Sequence, residues 1–152
     1  MARIETILVA TDGSPASSAA SSEAIELALR LGARLIVMNV VNVPELTSAG
    51  AIFPGTLTGA REDAEAIARE VVEGARRSGV SATYLTWEGV PGEAIVAAAD
   101  AEAADLVIVG THGRSVIGRL LLGSVSEYVV RHARVPVMVV RPQEAYTAVA
   151  AH

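Results

Sequence analysis

The chain has 152 residues, of which 51% are hydrophobic and 19% are charged, and its formal net charge is -5. This composition fits one domain with an apolar core, and the negative charge argues against nucleic acid as a partner. All 12 basic residues are Arg, and Cys is absent, which excludes Schiff-base chemistry, a P-loop lysine, disulfides and thiolate metal sites.

The apolar segments of the chain are short. The first, Ile7–Ala10, is too short for the hydrophobic region of a secretory signal and leads directly into a polar turn at Asp12. No stretch approaches the roughly 18 apolar residues that a membrane span needs. We therefore expect a soluble, cytoplasmic protein without a membrane partner.

Strands and helices are predicted to alternate along the chain. Four apolar runs rich in β-branched residues lack alternation, as is typical of parallel strands that are covered on both faces, and a weaker fifth run alternates. Helical spacing of apolar residues fills the intervals between these runs. In chain order, the predictions are strand Thr6–Ala10, helix Pro15–Leu31, strand Arg34–Val41, helix Ala60–Ser78, weak strand Ser81–Trp87, helix Pro91–Ala103, strand Leu106–Gly110, helix Val125–His132 and strand Val135–Val140.

Local signals mark the ends of these helices. Ser14 is a predicted N-cap with Pro15 in the first helical position, and Gly32 is the predicted stop of the same helix. Ser124, with Glu127 three residues later, has the spacing of a capping box before the last helix. These signals support the helix assignments independently of the apolar pattern.

The predicted fold is α/β, a single doubly wound sheet of five parallel strands. Right-handed crossovers favour the strand order 3-2-1-4-5, with the topological switch between the first and fourth strands. We expect one domain over residues 1–142 and a flexible tail over residues 143–152. Residues 42–59 contain three Gly or Pro signals without a clear period, which predicts a long, mobile loop above the sheet.

The segment after the fourth strand carries the most chemical information. Gly110 and Gly113 would allow a sharp turn and a close approach to a ligand, and Gly123 and Ser124 stand at a predicted helix start, where amides and the helix dipole favour anions. Arg114, inside this segment, could reach phosphates as a forked donor. In the alternative interpretation, the glycines only punctuate a loop and Ser124 only caps a helix.

The first strand ends in Ala10, Thr11 and Asp12, across the predicted switch crevice from Gly110. A carboxylate at position 12 could accept hydrogen bonds from ribose hydroxyls or hold Mg²⁺ that bridges to phosphates. It could equally close an Asx turn or cap the first helix. The position of Asp12 alone leaves both interpretations open.

Taken together, these motifs resemble the universal stress protein family. The spacing Gly-x2-Gly-x9-Gly-Ser is met by Gly110, Gly113, Gly123 and Ser124, and it is joined to the opening ILVATDGS and the closing SVSEYVVRHARVPVMVVRP. The similarity runs from about residue 4 to residue 142 and indicates the nucleotide-binding branch of that family, with a Rossmann-like fold of the adenine nucleotide alpha hydrolase type. Asn39 departs from the pattern, because many relatives carry His there.

The resemblance implies a role for each matched position. Asp12 would hold the ribose, and Val40 would meet the adenine with its main chain. Ala10 and Val109 would line the base pocket beside Thr11. Around the phosphates, the resemblance implies Gly110, Gly113 and Arg114 on one side and Gly123, Ser124 and Val125 on the other.

The predicted partners are an adenine nucleotide, expected to be ATP with Mg²⁺ bound only alongside it, and a second copy of the chain. The strand Val135–Val140 would be an uncharged, apolar edge, which natural proteins usually cover, so we expect a homodimer at this edge. The favoured function is a stress-responsive, nucleotide-dependent regulator. The alternatives are a slow Mg²⁺-dependent ATPase or nucleotidyl-transfer enzyme, a nucleotide-free interaction module and a cyclic AMP binder.

Overall fold

The computed structural model describes residues 3–48, 55–111 and 122–142. Their strands form one parallel sheet in the order β3-β2-β1-β4-β5. The predicted doubly wound α/β fold, with its switch between β1 and β4, is therefore confirmed. The elements are β1 (Thr6–Ala10), α1 (Pro15–Leu31), β2 (Arg34–Asn42), α2 (Val43–Ser48), α3 (Thr56–Arg77), β3 (Ala82–Gly89), α4 (Pro91–Ala101), β4 (Leu106–Gly110), α5 (Ser124–His132) and β5 (Val137–Val140).

The prediction of a long loop over residues 42–59 was wrong. Strand β2 continues to Asn42, α2 follows at once, and α3 begins at Thr56. Asn42 explains the extra helix, because its Oδ1 accepts from the Glu45 N–H at 3.2 Å while its Nδ2 donates to the Glu45 carboxylate at 3.2 Å. The first of these bonds pairs a backbone N–H that would otherwise be unpaired at a helix start. Residues 49–54 lie outside the described ranges.

Other predicted boundaries shift by a few residues. Strand β3 runs two residues further than expected, to Gly89, and β5 begins at Val137 instead of Val135. Backbone pairing with β4 nevertheless reaches Pro136, whose C=O accepts from the Val107 N–H at 3.1 Å. The tail predicted for residues 143–152 lies outside the described residues.

Two apolar layers cover the two faces of the sheet. On one face, α1 and α3 place small and branched side chains such as Ala24 and Val72 against Val9 and Val37. On the other face, α4 packs Ile95 against the face that carries Met38. The alanines of α1 bring that helix close to the strands without large side chains, which is how a chain with few aromatics reaches core density.

Helix α1 begins and ends where the sequence predicts. The Ser14 hydroxyl accepts from the Ser17 N–H at 3.3 Å, and Pro15 occupies the first turn. Gly32 adopts the left-handed conformation with φ 65° at the C-terminal end, where Gly is the residue with least strain. The two signals fix α1 directly behind the end of β1.

Helices α4 and α5 pack against each other at Gly92 in the first turn of α4. A Cβ at Gly92 would lie 2.9 Å from the Cβ, Cγ and Cδ1 atoms of Tyr128 in α5. Real Cβ atoms do not make contacts this short, so the absence of a side chain at Gly92 sets how closely α5 lies against α4.

We expect Gly92→Ala to lower the free energy of unfolding by about 2 kcal/mol, because the new methyl group must push the Tyr128 ring and α5 outward. Thermal unfolding should show a fall in Tm of about 6 °C for a chain of this size. Gly74→Ala in α3, where the nearest atom to a new Cβ is Arg77 Nη2 at 3.7 Å, is the matched control and should not destabilise. If Gly92→Ala costs the same in a Tyr128→Gly background, which removes the Cβ, Cγ and Cδ1 atoms together, the contact with Tyr128 is not the cause.

Candidate functional site

A cavity of about 600 Å³ opens at the carboxyl ends of β1, β2 and β4. It therefore lies at the switch point of the sheet, where doubly wound proteins place their ligands. Its volume is within the range of about 300–1,000 Å³ that is usual for sites of small molecules and cofactors.

The cavity brings together nine of the eleven residues that the sequence predicts for the site. Gly113 and Arg114, the other two, lie outside the described residues. The nine residues around the cavity are Ala10, Thr11, Asp12, Val40, Val109, Gly110, Gly123, Ser124 and Val125.

Asp12 follows β1 and closes a tight turn at the cavity wall. Its Oδ1 accepts from the Ser14 N–H at 2.9 Å, which is the geometry of an Asx turn. The interpretation that Asp12 closes an Asx turn is therefore correct for one of its oxygens. The side chain also lines the cavity. The turn fixes the direction of the carboxylate, so a ligand meets an acceptor that is already in place.

The environment of Asp12 favours the ionised carboxylate. Burial acts to raise the pKa of Asp12, but hydrogen bonds from the side chain and backbone N–H of Ser14 and from Ser17 outweigh it, and the pKa lies below its usual value. The group is consequently an acceptor without a proton throughout the neutral range, as an interaction with sugar hydroxyls or a metal ion requires.

Thr11 is buried, and its hydroxyl and N–H stabilise the same turn. Its hydroxyl lies 3.2 Å from the Ser17 hydroxyl and accepts from the Gly13 N–H at 3.4 Å. Its own N–H donates to the Met38 C=O at 2.8 Å, which joins the end of β1 to β2. These bonds assign the Thr11 hydroxyl to the scaffold of the turn.

The peptide group of Val40 faces the cavity because β2 extends beyond the end of β1. In the parallel ladder, Ala10 stands opposite Met38, and the last bond between the two strands joins the Thr11 N–H to the Met38 C=O. The N–H and C=O of alternate residues point to the same side of a strand, so those of Val40 point as those of Met38 do. They face the side where β1 has already ended, and Val40 lines the cavity there.

Gly110 is required for a reason that differs from the predicted one. Its φ lies outside the left-handed region, so no sharp turn demands glycine there. A Cβ at this position would instead lie 2.6 Å from the backbone C and O atoms of Ala16 in the first turn of α1. The glycine allows the end of β4 and the start of α1 to meet beside the cavity.

The N-terminus of α5 reaches the cavity without a capping side chain in the described structure. Ser124 was predicted to be the N-cap, but Gly123 takes that position and Ser124 is the first helical residue. The Ser126 hydroxyl donates to the Gly123 C=O at 3.0 Å and does not cap the helix amides. The first-turn amides and the positive end of the helix dipole therefore remain available to an anion.

Eleven further residues line the cavity and were not among the predicted site residues. Pro91 and Ile95 come from α4, whose start follows β3 and thus opens at the same edge of the sheet, a signal that could have placed them there. Asn42 and Glu45 fall in the segment wrongly predicted as loop. The eleven residues are Gly13, Ser14, Pro15, Ser17, Met38, Asn42, Glu45, Pro91, Ile95, Thr111 and Ser126.

The part of the chain that the structure describes has neither a cluster of metal ligands nor a membrane-spanning helix. Residues 3–48, 55–111 and 122–142 contain no group of three or more His, Asp or Glu side chains placed to hold a metal ion. None of the helices in these ranges combines the length and apolar character that crossing a bilayer would take.

The fold and the cavity define a doubly wound α/β protein with a ligand-sized site at its switch point. A model described as the universal stress protein family matches residues 3–141, and the chain belongs to that family. The resemblance in the sequence is thereby confirmed.

Individual relatives agree with this membership. A universal stress protein of Thermus aquaticus is 38% identical over 140 residues, covering 90% of this chain and 98% of the relative. Universal stress protein MJ0531 of Methanocaldococcus jannaschii is 34% identical over 137 residues, covering 89% and 81%.

Solved structures share the fold. The structure of hypothetical protein MJ0577 matches with a TM-score of 0.82 at 26% identity, covering 92% of this chain and 97% of that one. A universal stress protein solved in complex with cAMP matches with a TM-score of 0.66 at 31% identity, covering 91% and 98%.

Proposed function

We propose that this chain binds an adenine nucleotide in the switch-point cavity, with ATP as the expected ligand, and acts as a nucleotide-responsive regulatory dimer. One observation carries the proposal: three kinds of group that a nucleotide needs line the same cavity. They are the Val40 peptide group, the Asp12 carboxylate and the uncapped N-terminus of α5.

Each group suits one part of the ligand. The Val40 N–H and C=O can pair with an acceptor and a donor on the edge of adenine, between apolar walls that include Ala10 and Val109. Asp12 can accept from the ribose hydroxyls, as an acidic residue does in other doubly wound nucleotide sites. The amides of Ser124 and Val125 can donate to a phosphate group.

A relative supports the ligand class. The universal stress protein that was solved with cAMP is 31% identical to this chain and has the same fold. It favours an adenine nucleotide and leaves cyclic AMP as a second candidate ligand. For a triphosphate, the family resemblance also assigns Gly113 and Arg114 to the phosphates, and Asp12 would supply one carboxylate for Mg²⁺ held with them.

Isothermal titration of the full chain with ATP, ADP, AMP and cyclic AMP, with and without Mg²⁺, tests the proposal. We expect saturable binding with a one-to-one ratio per chain, and ATP should be the tightest ligand. If cyclic AMP binds more tightly than ATP, cyclic AMP takes the place of ATP as the proposed ligand. No binding by any of the four would overturn the proposal and favour a nucleotide-free interaction module.

The same samples separate a regulator from an enzyme. Phosphate release from MgATP is expected to be close to the rate without protein, since the proposed groups only bind. Metal-dependent turnover that Asp12→Ala abolishes would favour the ATPase or nucleotidyl-transfer alternative.

The dimeric part of the proposal rests on the edge strand β5, the Val137–Val140 part of the predicted edge Val135–Val140. Strand β5 ends the sheet, its sequence VMVV carries no charge, and the Met138 side chain is 37% exposed. An unprotected apolar edge of this kind is a template for a second strand.

We expect Met138→Lys to convert the dimer into a monomer. Pairing of two β5 strands would bury the charge of the new Lys, and burying an unpaired charge destabilises the interface. Light scattering coupled to gel filtration measures the change in mass. Leu29→Lys is the matched control, since Leu29 is 53% exposed on α1, away from β5, and the dimer should persist. A Met138→Lys protein of unchanged mass would exclude this interface.

A further inference from the structure

The carboxyl end of β2 places a carboxylate at the wall of the cavity. Asn42 is the last residue of β2 and Glu45 lies in the first turn of α2, and both line the cavity. Neither was predicted for the site, and the proposed function assigns neither a role.

Two hydrogen bonds fix the orientation of this pair. The Asn42 Oδ1 accepts from the Glu45 N–H at 3.2 Å, and the Asn42 Nδ2 donates to the Glu45 Oε2 at 3.2 Å. The first bond determines which way the Asn42 amide is turned, so the second bond holds the Glu45 carboxylate as an acceptor. An ionised carboxylate has room for several more donors, so a donor on a ligand can still bind it.

The pair lies beyond Val40 along strand β2, and Val40 is the residue to which the proposed function assigns the base. Asn42 comes two residues after Val40 on the same strand, about 7 Å further along the strand direction. Asp12, by contrast, follows β1, which stops opposite Met38. Among the described lining residues, Asp12 and Glu45 are the charged ones, and they follow different strands.

We propose that Glu45, positioned by Asn42, determines base specificity by accepting a hydrogen bond from the exocyclic 6-amino group of adenine. The inference deepens the proposed function and rests on it. A 6-amino purine presents a donor to the carboxylate, whereas a 6-oxo purine presents a carbonyl oxygen, so two acceptors would face each other. Sites that hydrogen-bond one group discriminate against ligands that leave the site unpaired.

Substitution by Gln separates the chemistry from the fold. Gln keeps a side-chain oxygen at the same length, and the bond from the Glu45 N–H to Asn42 is a backbone one, so Glu45→Gln should retain both bonds with Asn42 and the helix α2. With its single oxygen held by the Asn42 Nδ2, the Gln side chain presents an N–H to the ligand, which can pair with a 6-oxo group and not with a 6-amino group. Selectivity should therefore fall while the structure persists.

The experiment compares the affinities of the full chain for ATP and for inosine triphosphate, which differ at position 6 of the base. In the unsubstituted protein we expect ATP to bind about 100-fold more tightly, because the Val40 C=O and the Glu45 carboxylate each accept one hydrogen of the 6-amino group and each bond contributes about 10-fold. In Glu45→Gln, the ratio should fall to about 10-fold, chiefly through tighter binding of the inosine nucleotide, while the Val40 peptide group keeps its own preference for adenine. Glu73→Gln on the exposed face of α3 is the control and should keep the original ratio.

The outcomes distinguish the two proposals. If neither nucleotide binds the unsubstituted protein, the proposed function fails and this inference fails with it. If ATP binds but inosine triphosphate binds equally well, or if Glu45→Gln preserves the original ratio, nucleotide binding stands and the role of Glu45 is overturned.

Discussion

Gly110→Ala is expected to lower the free energy of unfolding by about 3 kcal/mol, at the upper end of the usual cost of overpacking. The new Cβ would lie 2.6 Å from the backbone C and O atoms of Ala16, so no side-chain rotation can relieve the contact. Strand β4 and helix α1 must separate instead, and both belong to the centre of the fold. Thermal or urea unfolding should show this as a fall in Tm of about 10 °C.

Gly59→Ala provides the matched control for that measurement. Gly59 lies inside α3, and a Cβ there would meet no atom within 4 Å. This substitution should raise the stability by about 0.5–1 kcal/mol, because Ala loses less backbone entropy in a helix than Gly does. A Gly110→Ala protein as stable as the Gly59→Ala protein would contradict the close approach of α1 to β4.

Asp12→Asn is expected to weaken the binding of ATP about 10- to 100-fold, the loss typical of a charge-assisted hydrogen bond. The Asn side chain can still accept from the Ser14 N–H, so the turn at the end of β1 should survive. What is lost is the negative charge that would accept from the ribose hydroxyls and attract Mg²⁺. Isothermal titration of both proteins measures the difference.

A nucleotide without ribose hydroxyls identifies the cause of that loss. The unsubstituted protein should bind 2′,3′-dideoxy-ATP about as weakly as Asp12→Asn binds ATP, and the Asn variant should no longer distinguish the two nucleotides. Asp100→Asn, at an exposed position on α4, controls for the change in net charge. Equal affinities of the unsubstituted protein and Asp12→Asn for ATP would remove Asp12 from the proposed site.

The elements that the sequence predicted well are those with strong local signals. Strands β1 and β4 are continuous apolar runs, and α1 has a Ser at its start and a Gly at its end, so their bounds were predicted correctly. Helix α2 was missed because six residues are too few to show a helical period, and its cap depends on the Asn42–Glu45 pair. Short elements of this kind are stabilised by individual hydrogen bonds that composition does not reveal.

The residues of the candidate site could also be predicted only in part. Asp12 and Gly110 could be placed because parallel strands bring their carboxyl ends to one edge of the sheet. The start of α4 after β3 indicates the same edge for Pro91 and Ile95, but their distance from the cavity also depends on how α4 crosses the sheet. The sequence could not show why position 110 must be glycine, because the close approach to Ala16 joins two elements that are far apart in the chain.

The unequal lengths of β1 and β2 have a consequence for how this protein can vary. The groups that Val40 offers belong to the peptide unit, and every amino acid except proline carries the same N–H and C=O. Point substitutions at position 40 would therefore preserve the recognition of a base that depends on those groups. An insertion or deletion that moved the end of β1 would instead remove this recognition. Related sequences should therefore vary in the amino acid at position 40 but keep the lengths of β1 and β2.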